Sequence, residues 1–260
     1  DWIVPEPSGV TLHIAPWNYP FQLALNSLIG AVAAGNTVVL KPSEHAPQTA
    51  AVIEKIITAV FPEAWVAIVQ GGPETAENLL QLRWDYIFFT GGVRVGKLVA
   101  KAAAAHLTPT TLELGGKNPC IVDQTANIKV SARRIAWGKY MNCGQICMSP
   151  DYLLVHKSKY EALLTALKSE IVRMYGDNPK TSEDYARLVH EKHAAAMVNL
   201  LDGQDILYGV EHDVQNRYVA PTLIAVENLE NQIMKEEIFG PILPILTYEY
   251  ENEINQIIHH

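Results

Sequence analysis

Two cysteines, Cys143 and Cys147, lie four residues apart in the stretch NCGQICMSP, in a chain that holds only three cysteines. A cysteine attacks a substrate as its thiolate, so a catalytic cysteine needs a helix N-terminus or a cation that lowers the thiol pKa from about 8.5. Gly144 and Pro150 indicate a turning backbone that could present a thiol to a cleft. By itself the stretch favours an inert buried thiol, because cysteine is among the most buried residue types.

A metal site is one alternative for these cysteines. Structural zinc needs four ligands, and its cysteine ligands usually come in closely spaced pairs. The third cysteine, Cys120, lies in the apolar run NPCIVD and is most simply a core residue. The run HEKH, from His190 to His193, lacks the i, i+4 spacing of the histidines on a zinc-protease helix. The sequence therefore predicts no metal site.

Two turns at predicted strand ends could bind a nucleotide. In FTGGVRVGK, Gly91 and Gly92 lie where backbone N–H groups at a helix N-terminus can meet a phosphate, although a tight turn that needs glycine for a positive φ is an equal alternative. In LKPSE, Lys41 and Glu44 lie where ligands bind parallel sheets, but they could also form a solvated pair. No G-x-G-x-x-G, P-loop or G-x-S-x-G pattern occurs, so a P-loop ATPase and a serine hydrolase have no support.

Short apolar segments and longer helical segments alternate through the first 120 residues. This alternation is typical of a doubly wound parallel sheet, in which helices cover both faces. The predicted strands are 10–15, 37–40, 65–69, 86–89 and 110–114, and the predicted helices are 21–34, 47–60, 74–82 and 91–106. Farther along, helices are predicted at 127–141, around 163–171 and at 185–201, with a strand at 152–155 and a loop at 176–184. The fold class is therefore α/β, and we place a domain boundary near Gly115 and Gly116.

The composition excludes several classes of protein. Hydrophobic residues make up 48% of the 260 residues, charged residues make up 18%, and the net charge is −8. Nucleic acid is therefore not the expected partner, because phosphate binding needs a clustered basic face. No secretory signal opens the chain, and the apolar run 21–34 is too short to span a membrane. Three cysteines form no disulfide framework, so we expect a reducing, cytoplasmic setting.

Six motifs occur in one order along the chain: PWNYP, KPSE, FTGG…GK, LELGGKNP, GQIC and EEIFGP. In this order and at about these spacings they resemble the aldehyde dehydrogenase superfamily. The stretches GQICMSPDY, MKEEIFGPILP and RYVAPT are most similar to its class 3 branch, which handles aromatic and fatty aldehydes. The resemblance covers essentially the whole chain. It implies a Rossmann-like cofactor domain followed by an α/β catalytic domain.

The resemblance implies an NAD(P)-dependent oxidation of an aldehyde to a carboxylic acid. It assigns the nucleophile to Cys147, in GQIC, and makes Cys143 a bystander. Asn18 of PWNYP, with the backbone N–H of Cys147, would hold the oxyanion. Glu113 of LELGG would be the general base that activates water for hydrolysis of the thioester.

The resemblance also implies the cofactor contacts. Gly92 would open the helix beneath the pyrophosphate, and Glu44 would contact the adenosine ribose. A carboxylate suits a ribose 2′-hydroxyl and repels a 2′-phosphate, so we expect NAD to be used at least as well as NADP. The full set of implied contacts is Lys41, Glu44, Thr90, Gly91, Gly92 and Gly96 in the first half of the chain, with Glu237 and Phe239 of EEIFGP as the clamp on the nicotinamide ribose.

Family members begin before the position that matches Asp1 and continue past His260, so we expect a chain truncated at both ends. On this basis residues 1–7 would end an oligomerisation arm, 8–116 would form the dinucleotide-binding domain, and 117–260 would form an incomplete catalytic domain. The full-length protein would be a homodimer. No membrane segment is evident in this chain, although class 3 relatives with an anchor carry it on a C-terminal tail.

Three alternative functions remain open. A CoA-acylating relative would pass the thioester to a thiol, but such relatives generally lack the glutamate that Glu113 matches. A reductive relative that acts on an acyl phosphate would share the fold and the cysteine, but not this set of motifs. In a different class, the chain could be a non-catalytic dinucleotide-binding module.

Overall fold

The structure is a computed structural model that describes residue 2, residue 4 and residues 6–259. Positions 1, 3 and 5 of the predicted oligomerisation arm, and the final residue of the predicted catalytic domain, lie outside the described residues. The chain divides into two compact units between Gly115 and Gly116.

The first unit is built on a five-stranded sheet in the order β3-β2-β1-β4-β5. All of its strand pairs are parallel, which confirms the predicted doubly wound sheet. Its strands are β1 (Val10–Ile14), β2 (Thr37–Lys41), β3 (Val66–Ile68), β4 (Tyr86–Thr90) and β5 (Thr110–Glu113). Its helices are α1 (Pro20–Ala33), α2 (Pro47–Val60), α3 (Pro73–Leu80) and α4 (Val93–Ala104).

Two separate hydrophobic clusters cover the two faces of this sheet. Val38 and Leu40 of β2 belong to a cluster with α1 and α2. Leu12 and Ile87, of β1 and β4, belong to a second cluster with Val99 of α4. Strands buried on both faces read as continuous apolar runs, which is why they could be recognised in the sequence.

The second unit contains a five-stranded sheet in the order β6-β7-β12-β11-β8, with β8 antiparallel to β11 and the other pairs parallel. A short antiparallel pair joins β9 to β10. The strands from β8 to β11 have no counterpart among the strands predicted from the sequence. The strands are β6 (Pro119–Val122), β7 (Tyr152–His156), β8 (Asp205–Tyr208), β9 (His212–Asp213), β10 (Tyr218–Val219), β11 (Thr222–Ala225) and β12 (Ile242–Tyr248). The helices are α5 (Ile128–Tyr140), α6 (Tyr160–Tyr175), α7 (Glu191–Asn199) and α8 (Glu251–Ile258).

The predicted helix over 185–201 is wrong in its first part, because α7 begins only at Glu191. The side chain of His190 caps the helix by accepting a hydrogen bond from the backbone N–H of His193 at 2.9 Å. Ahead of the cap, the buried ring of Tyr185 contacts the ring of Tyr175, with 4.9 Å between ring centroids. Tertiary contacts of this kind override the local helix propensity of the segment.

Each helix of the described residues is too short or too polar to traverse a membrane.

Candidate active site

In the first unit, the candidate residues follow the carboxyl ends of four parallel strands. Asn18 is half-buried in the bend after β1, and Lys41 ends β2 with Glu44 in the turn beyond it. Thr90 ends β4, and Glu113 ends β5 as an exposed residue. Because the strands are parallel, these ends lie along the same edge of the sheet. Ligands bind at this edge in open α/β sheets, near the point where the strand order reverses.

Lys41 and Glu44 form an ion pair, with 3.2 Å between Nζ and Oε2. The Lys41 side chain is only 3% exposed and that of Glu44 is 33% exposed, so the pair is solvated on its carboxylate side only. Burial acts to raise the pKa of Glu44. Hydrogen bonds from its own backbone and from Lys41 outweigh burial, so the pKa is lowered and the carboxylate stays charged.

Neither glycine of the turn after β4 has a positive φ, which corrects one alternative from the sequence. Gly92 has a φ of −74° and is the N-cap residue of α4. The N–H of Gly91 donates to the carbonyl of Glu113 at 3.0 Å. A Cβ on Gly91 would overlap the ring of Phe89, whereas a Cβ on Gly92 would have no described atom within 4 Å. The N-terminus of α4 is therefore open to a ligand.

Thr90 and Gly96 lie on either side of this turn. Thr90 pairs in register with Glu113 on the neighbouring strand, which brings two candidate residues together. Gly96 is buried inside α4, where a Cβ would meet the side chain of Leu114 at 2.7 Å. The structure thus explains Gly96 by packing, and its contact with a cofactor stays a prediction.

In the second unit, Cys147 lies in a tight turn that exposes part of its side chain. The turn is closed by a hydrogen bond from Ser149 N–H to the Ile146 carbonyl at 3.0 Å. The side-chain amide of Asn118 donates to the carbonyls of Cys147 at 2.7 Å and Ser149 at 3.2 Å. Within the part of the chain that the structure describes, the backbone N–H of Cys147 donates to no acceptor. This N–H is available to a developing oxyanion.

The other two cysteines are less accessible. Cys143 is 0% exposed, and burial raises the pKa of its thiol to about 12. Cys120 is half-buried in β6, and burial raises the pKa of its thiol as well. A raised thiol pKa leaves little thiolate at neutral pH. Cys147 is therefore the cysteine best placed to react.

Three successive residues before Cys147 have left-handed backbone conformations. The φ angles are 49° at Asn142, 57° at Cys143 and 74° at Gly144. Such angles are costly for residues other than glycine and persist only where surrounding contacts hold them. At Gly144 there is no room for a side chain, because a Cβ would collide with the backbone carbonyl of Gly240.

The side chain of Gln145 stabilises this left-handed loop through hydrogen bonds, a role that was not predicted from the sequence. Its side chain is buried and donates to the carbonyls of Asn142 at 2.9 Å and Arg187 at 3.1 Å. Its Oε1 accepts from the backbone N–H of Val189 at 2.9 Å. The only sequence signal was its place in GQIC, next but one to the candidate nucleophile.

Glu237 and Phe239 lie just before β12. Burial raises the pKa of Glu237, and a hydrogen bond from the Gly116 backbone opposes that shift. Phe239 has a φ of 49°, and its carbonyl lies 2.9 Å from Nε2 of His193. In this unit the candidates precede strands, Cys147 before β7 and Glu237 before β12, so they lie at the amino edge of the sheet.

Lys139 is a second residue that the sequence did not reveal. It is 1% exposed on α5. Burial lowers the pKa of its ammonium group to about 8, and the nearby carboxylate of Asp151 opposes the change. A buried cation of this kind requires neighbouring acceptors or anions to be tolerated.

A cavity of about 1030 Å³ lies beside α5 and the end of α6. None of the candidate residues from the sequence lines it. Its wall includes Trp137 and Met141, with the basic side chains of Arg133 and Arg134. Among the described residues, no three His, Cys, Asp or Glu side chains are grouped as a metal site would need.

Comparison with known proteins gives a consistent result. A sequence model of the aldehyde dehydrogenase family matches residues 2–259. The chain is 48% identical over 261 residues to the 4,4'-diaponeurosporen-aldehyde dehydrogenase of Staphylococcus aureus, covering 100% of this chain and 57% of that protein. It is 46% identical over 257 residues to aldehyde dehydrogenase family 3 member A2 of Rattus norvegicus, covering 98% of this chain and 53% of that protein.

The fold agrees with a solved structure. The chain superposes on an aldehyde dehydrogenase of Mycobacterium tuberculosis complexed with NAD+, with a TM-score of 0.88 and 30% identity, over 97% of this chain and 55% of that one. The chain therefore spans about half the length of the proteins that it matches.

Proposed function

This chain belongs to the aldehyde dehydrogenase family, and on that premise we propose that it carries the nucleophile, the general base and the cofactor contacts of an enzyme that oxidises an aldehyde to a carboxylic acid. Because the chain spans about half of its relatives, the activity is proposed for the protein to which it belongs. One observation carries the proposal: Cys147 combines a partly exposed thiol with a backbone N–H that has no acceptor among the described residues.

The thiolate of Cys147 would attack the carbonyl carbon of the aldehyde, forming a C–S bond and placing a negative charge on the former carbonyl oxygen. The N–H of Cys147 would donate to that charge, and the amide of Asn18 is the second proposed donor. Removing one such donor typically lowers the rate by about 10²–10³. When bound, the nicotinamide cofactor supplies the acceptor for the hydride that leaves the substrate carbon.

The acyl group would then be bound to Cys147 as a thioester. Glu113 would take a proton from water, whose oxygen attacks the acyl carbon and breaks the C–S bond. The products are a carboxylic acid and a regenerated cysteine. Glu113 is exposed at the end of β5, so a water molecule can reach its carboxylate, which would accept the proton as that water attacks. Glu113 therefore favours hydrolysis over transfer of the acyl group to CoA.

The first unit fits a dinucleotide cofactor. The open N-terminus of α4 at Gly92 suits a pyrophosphate, because backbone N–H groups and the helix dipole attract an anion there. The charged carboxylate of Glu44 suits a ribose hydroxyl. The Mycobacterium tuberculosis neighbour was solved in complex with NAD+. We expect NAD to be used at least as well as NADP, with Glu237 and Phe239 contacting the nicotinamide ribose.

The relatives support the class of substrate. They include a family 3 aldehyde dehydrogenase and an enzyme named 4,4'-diaponeurosporen-aldehyde dehydrogenase. A long-chain or aromatic aldehyde is therefore the proposed substrate, and a homodimer is the proposed assembly of the longer protein.

The function is tested by following reduced-nicotinamide absorbance with a medium-chain or aromatic aldehyde. We expect the free carboxylic acid as product, with or without added CoA. An acyl-CoA product would favour the acylating alternative. NAD binding without any turnover would favour the non-catalytic module.

A further inference from the structure

Three consecutive residues, Gly116, Lys117 and Asn118, lie against both segments of the second unit that carry candidate site residues: the turn with the nucleophile Cys147 and the segment with the cofactor contact Glu237. The backbone of Gly116 lies close to the carboxylate of Glu237 and acts to lower its pKa. Asn118 contacts the turn that contains Cys147. None of the three takes part in the proposed reaction, so their contacts need another explanation.

The ammonium group of Lys117 is fully occupied within the protein. Its Nζ lies 2.5 Å from Asp151 Oδ2, 3.1 Å from the carbonyl of Ile233 and 2.9 Å from the carbonyl of Glu236. A lysine ammonium has three N–H donors, so these three acceptors leave none for a ligand. Lys117 therefore holds the backbone at Ile233 and Glu236, just before Glu237, through hydrogen bonds.

The side-chain amide of Asn118 is occupied in the same way. An amide NH₂ has two donors, and here they reach the carbonyls of Cys147 and Ser149. The carbonyl of Ile146 accepts from Ser149 within the same turn. With these carbonyls fixed, the peptide planes on both sides of the nucleophile have one orientation. The free N–H of Cys147 is held in that orientation.

Asp151 contacts the side chain of Lys117 and the backbone of Asn118. It is 3% exposed, and its Oδ1 accepts from the backbone N–H of Ile238 at 2.9 Å while Oδ2 accepts from Lys117. Its own N–H donates to the carbonyl of Asn118 at 2.9 Å. The backbone is thus held on both sides of Glu237, at Glu236 through Lys117 and at Ile238 directly. Hydrogen bonds to a buried, charged carboxylate are strong, and removing one partner of such a pair is costly.

We propose that Lys117, Asn118 and Asp151 are positioning residues, with Asn118 fixing the Cys147 turn and the Lys117–Asp151 pair fixing the segment that carries Glu237. The inference rests on the proposed function for the roles of Cys147 and Glu237. Lys117 and Asn118 are adjacent and lie just before β6. Two neighbouring residues therefore position both the turn with the nucleophile and the segment with the cofactor clamp.

Amide hydrogen exchange, followed by mass spectrometry on the purified protein, tests the anchoring without relying on activity. Asn118→Ala should accelerate exchange about tenfold or more at the Ser149 amide, the hydrogen-bonded N–H of the Cys147 turn, and leave 233–238 unchanged. Lys117→Met and Asp151→Asn should do the reverse. Asp213→Asn is the matched control, because it breaks the lysine–carboxylate pair of Lys180 and Asp213 (2.8 Å) elsewhere in the unit. It should accelerate neither segment.

Binding and kinetics test the division of roles. Asn118→Ala should lower kcat about tenfold and leave the dissociation constant for NAD+ within about twofold of wild type. Lys117→Met should raise the dissociation constant for NAD+ about tenfold. A merely structural role would instead lower the melting temperature and reduce the active fraction, with the constants of the remaining active molecules unchanged.

Two outcomes overturn the inference. One is accelerated exchange of both segments together in every variant, and the other is no change in either segment. If the wild-type protein binds NAD+ but oxidises no aldehyde, the proposed function fails. The exchange pattern and the NAD+ titration still decide whether these residues position the two segments.

Discussion

The thiol of Cys143 donates a hydrogen bond to the hydroxyl of Tyr185 at 3.4 Å, and that hydroxyl donates to the carbonyl of Val219 at 2.8 Å. Cys143 is therefore part of an internal chain of hydrogen bonds, four residues before a cysteine whose side chain is partly exposed. The two thiols are close in sequence, but only that of Cys147 is accessible to solvent and to a substrate.

Replacing each cysteine by serine should separate these roles. Cys147→Ser should abolish aldehyde oxidation while leaving NAD+ binding nearly intact, because a serine hydroxyl is far too weakly acidic to replace a thiolate here. Cys143→Ser, the control, should keep most of the activity. Mass spectrometry after brief treatment with iodoacetamide should find Cys147 labelled before Cys143. Full activity in Cys147→Ser, or its loss in Cys143→Ser alone, would reverse the assignment.

Glu113→Gln should separate acylation from hydrolysis. The substitution keeps size and hydrogen bonding but removes the proton acceptor, so hydride transfer should proceed once and the acyl-enzyme should accumulate. Rapid-mixing absorbance should show one burst of reduced nicotinamide per active site, and intact-mass measurement should find the acyl group on the peptide with Cys147. Normal steady turnover would mean that Glu113 merely ends β5. Loss of the burst itself would show that Glu113 also activates the thiol.

Glu44→Gln should shift cofactor preference toward NADP. Wild-type kcat/KM should be at least as high with NAD as with NADP, because the ionised Glu44 repels a 2′-phosphate. Neutralising the carboxylate should raise relative use of NADP roughly five- to tenfold, since about 1 kcal/mol of repulsion is removed. Glu54→Gln, which removes a carboxylate charge from the half-buried Glu54 of α2, is the control and should leave the ratio of NADP to NAD use unchanged. A strong wild-type preference for NADP would contradict this role of Glu44.

Two glycine-to-alanine changes should have opposite effects on the free energy of unfolding. Gly144→Ala should destabilise the protein by at least about 2 kcal/mol, because it adds a Cβ to a left-handed residue against the Gly240 carbonyl. Gly30→Ala, in α1 with no described atom within 4 Å of the new Cβ, should stabilise it by about 0.5–1 kcal/mol. Denaturant unfolding measures both, and equal effects would show that the loop before Cys147 is not tightly constrained.

His13→Phe should reduce the loss of stability in acid. His13 is 4% exposed in β1, and burial lowers its pKa from 6.5 to about 4. Between these values the unfolded chain binds a proton that the folded chain does not, so stability falls as the pH drops from 6.5 to 4. The full effect is on the order of 3 kcal/mol.

Urea unfolding of wild type and His13→Phe at pH 7 and at pH 4.5 checks this prediction. Relative to wild type, the free energy of unfolding of His13→Phe should be higher at pH 4.5 than at pH 7. A difference that is independent of pH would show that His13 keeps an ordinary pKa in the fold.

The sequence by itself determined the strands and helices of the first unit and the motif residues that follow its strands. Helix α2 was predicted at residues 47–60 and is observed at Pro47–Val60. Such elements could be predicted because buried parallel strands are continuous apolar runs, and because proline and glycine mark the ends of helices. The assignment of Cys147 over Cys143 came from the GQIC motif, which is also local.

The tertiary structure alone decided which side chains hold these residues in place. Lys117 bonds to carbonyls 116 and 119 residues later in the chain, and Gln145 accepts from a backbone N–H 44 residues away. The segment before α7 is irregular because Tyr185 is buried and the Val189 N–H donates to Gln145, although its composition favours a helix. Local propensities differ by less than about 1 kcal/mol per residue. Several long-range hydrogen bonds and a buried ring outweigh them, and neither can be read from neighbouring positions in the sequence.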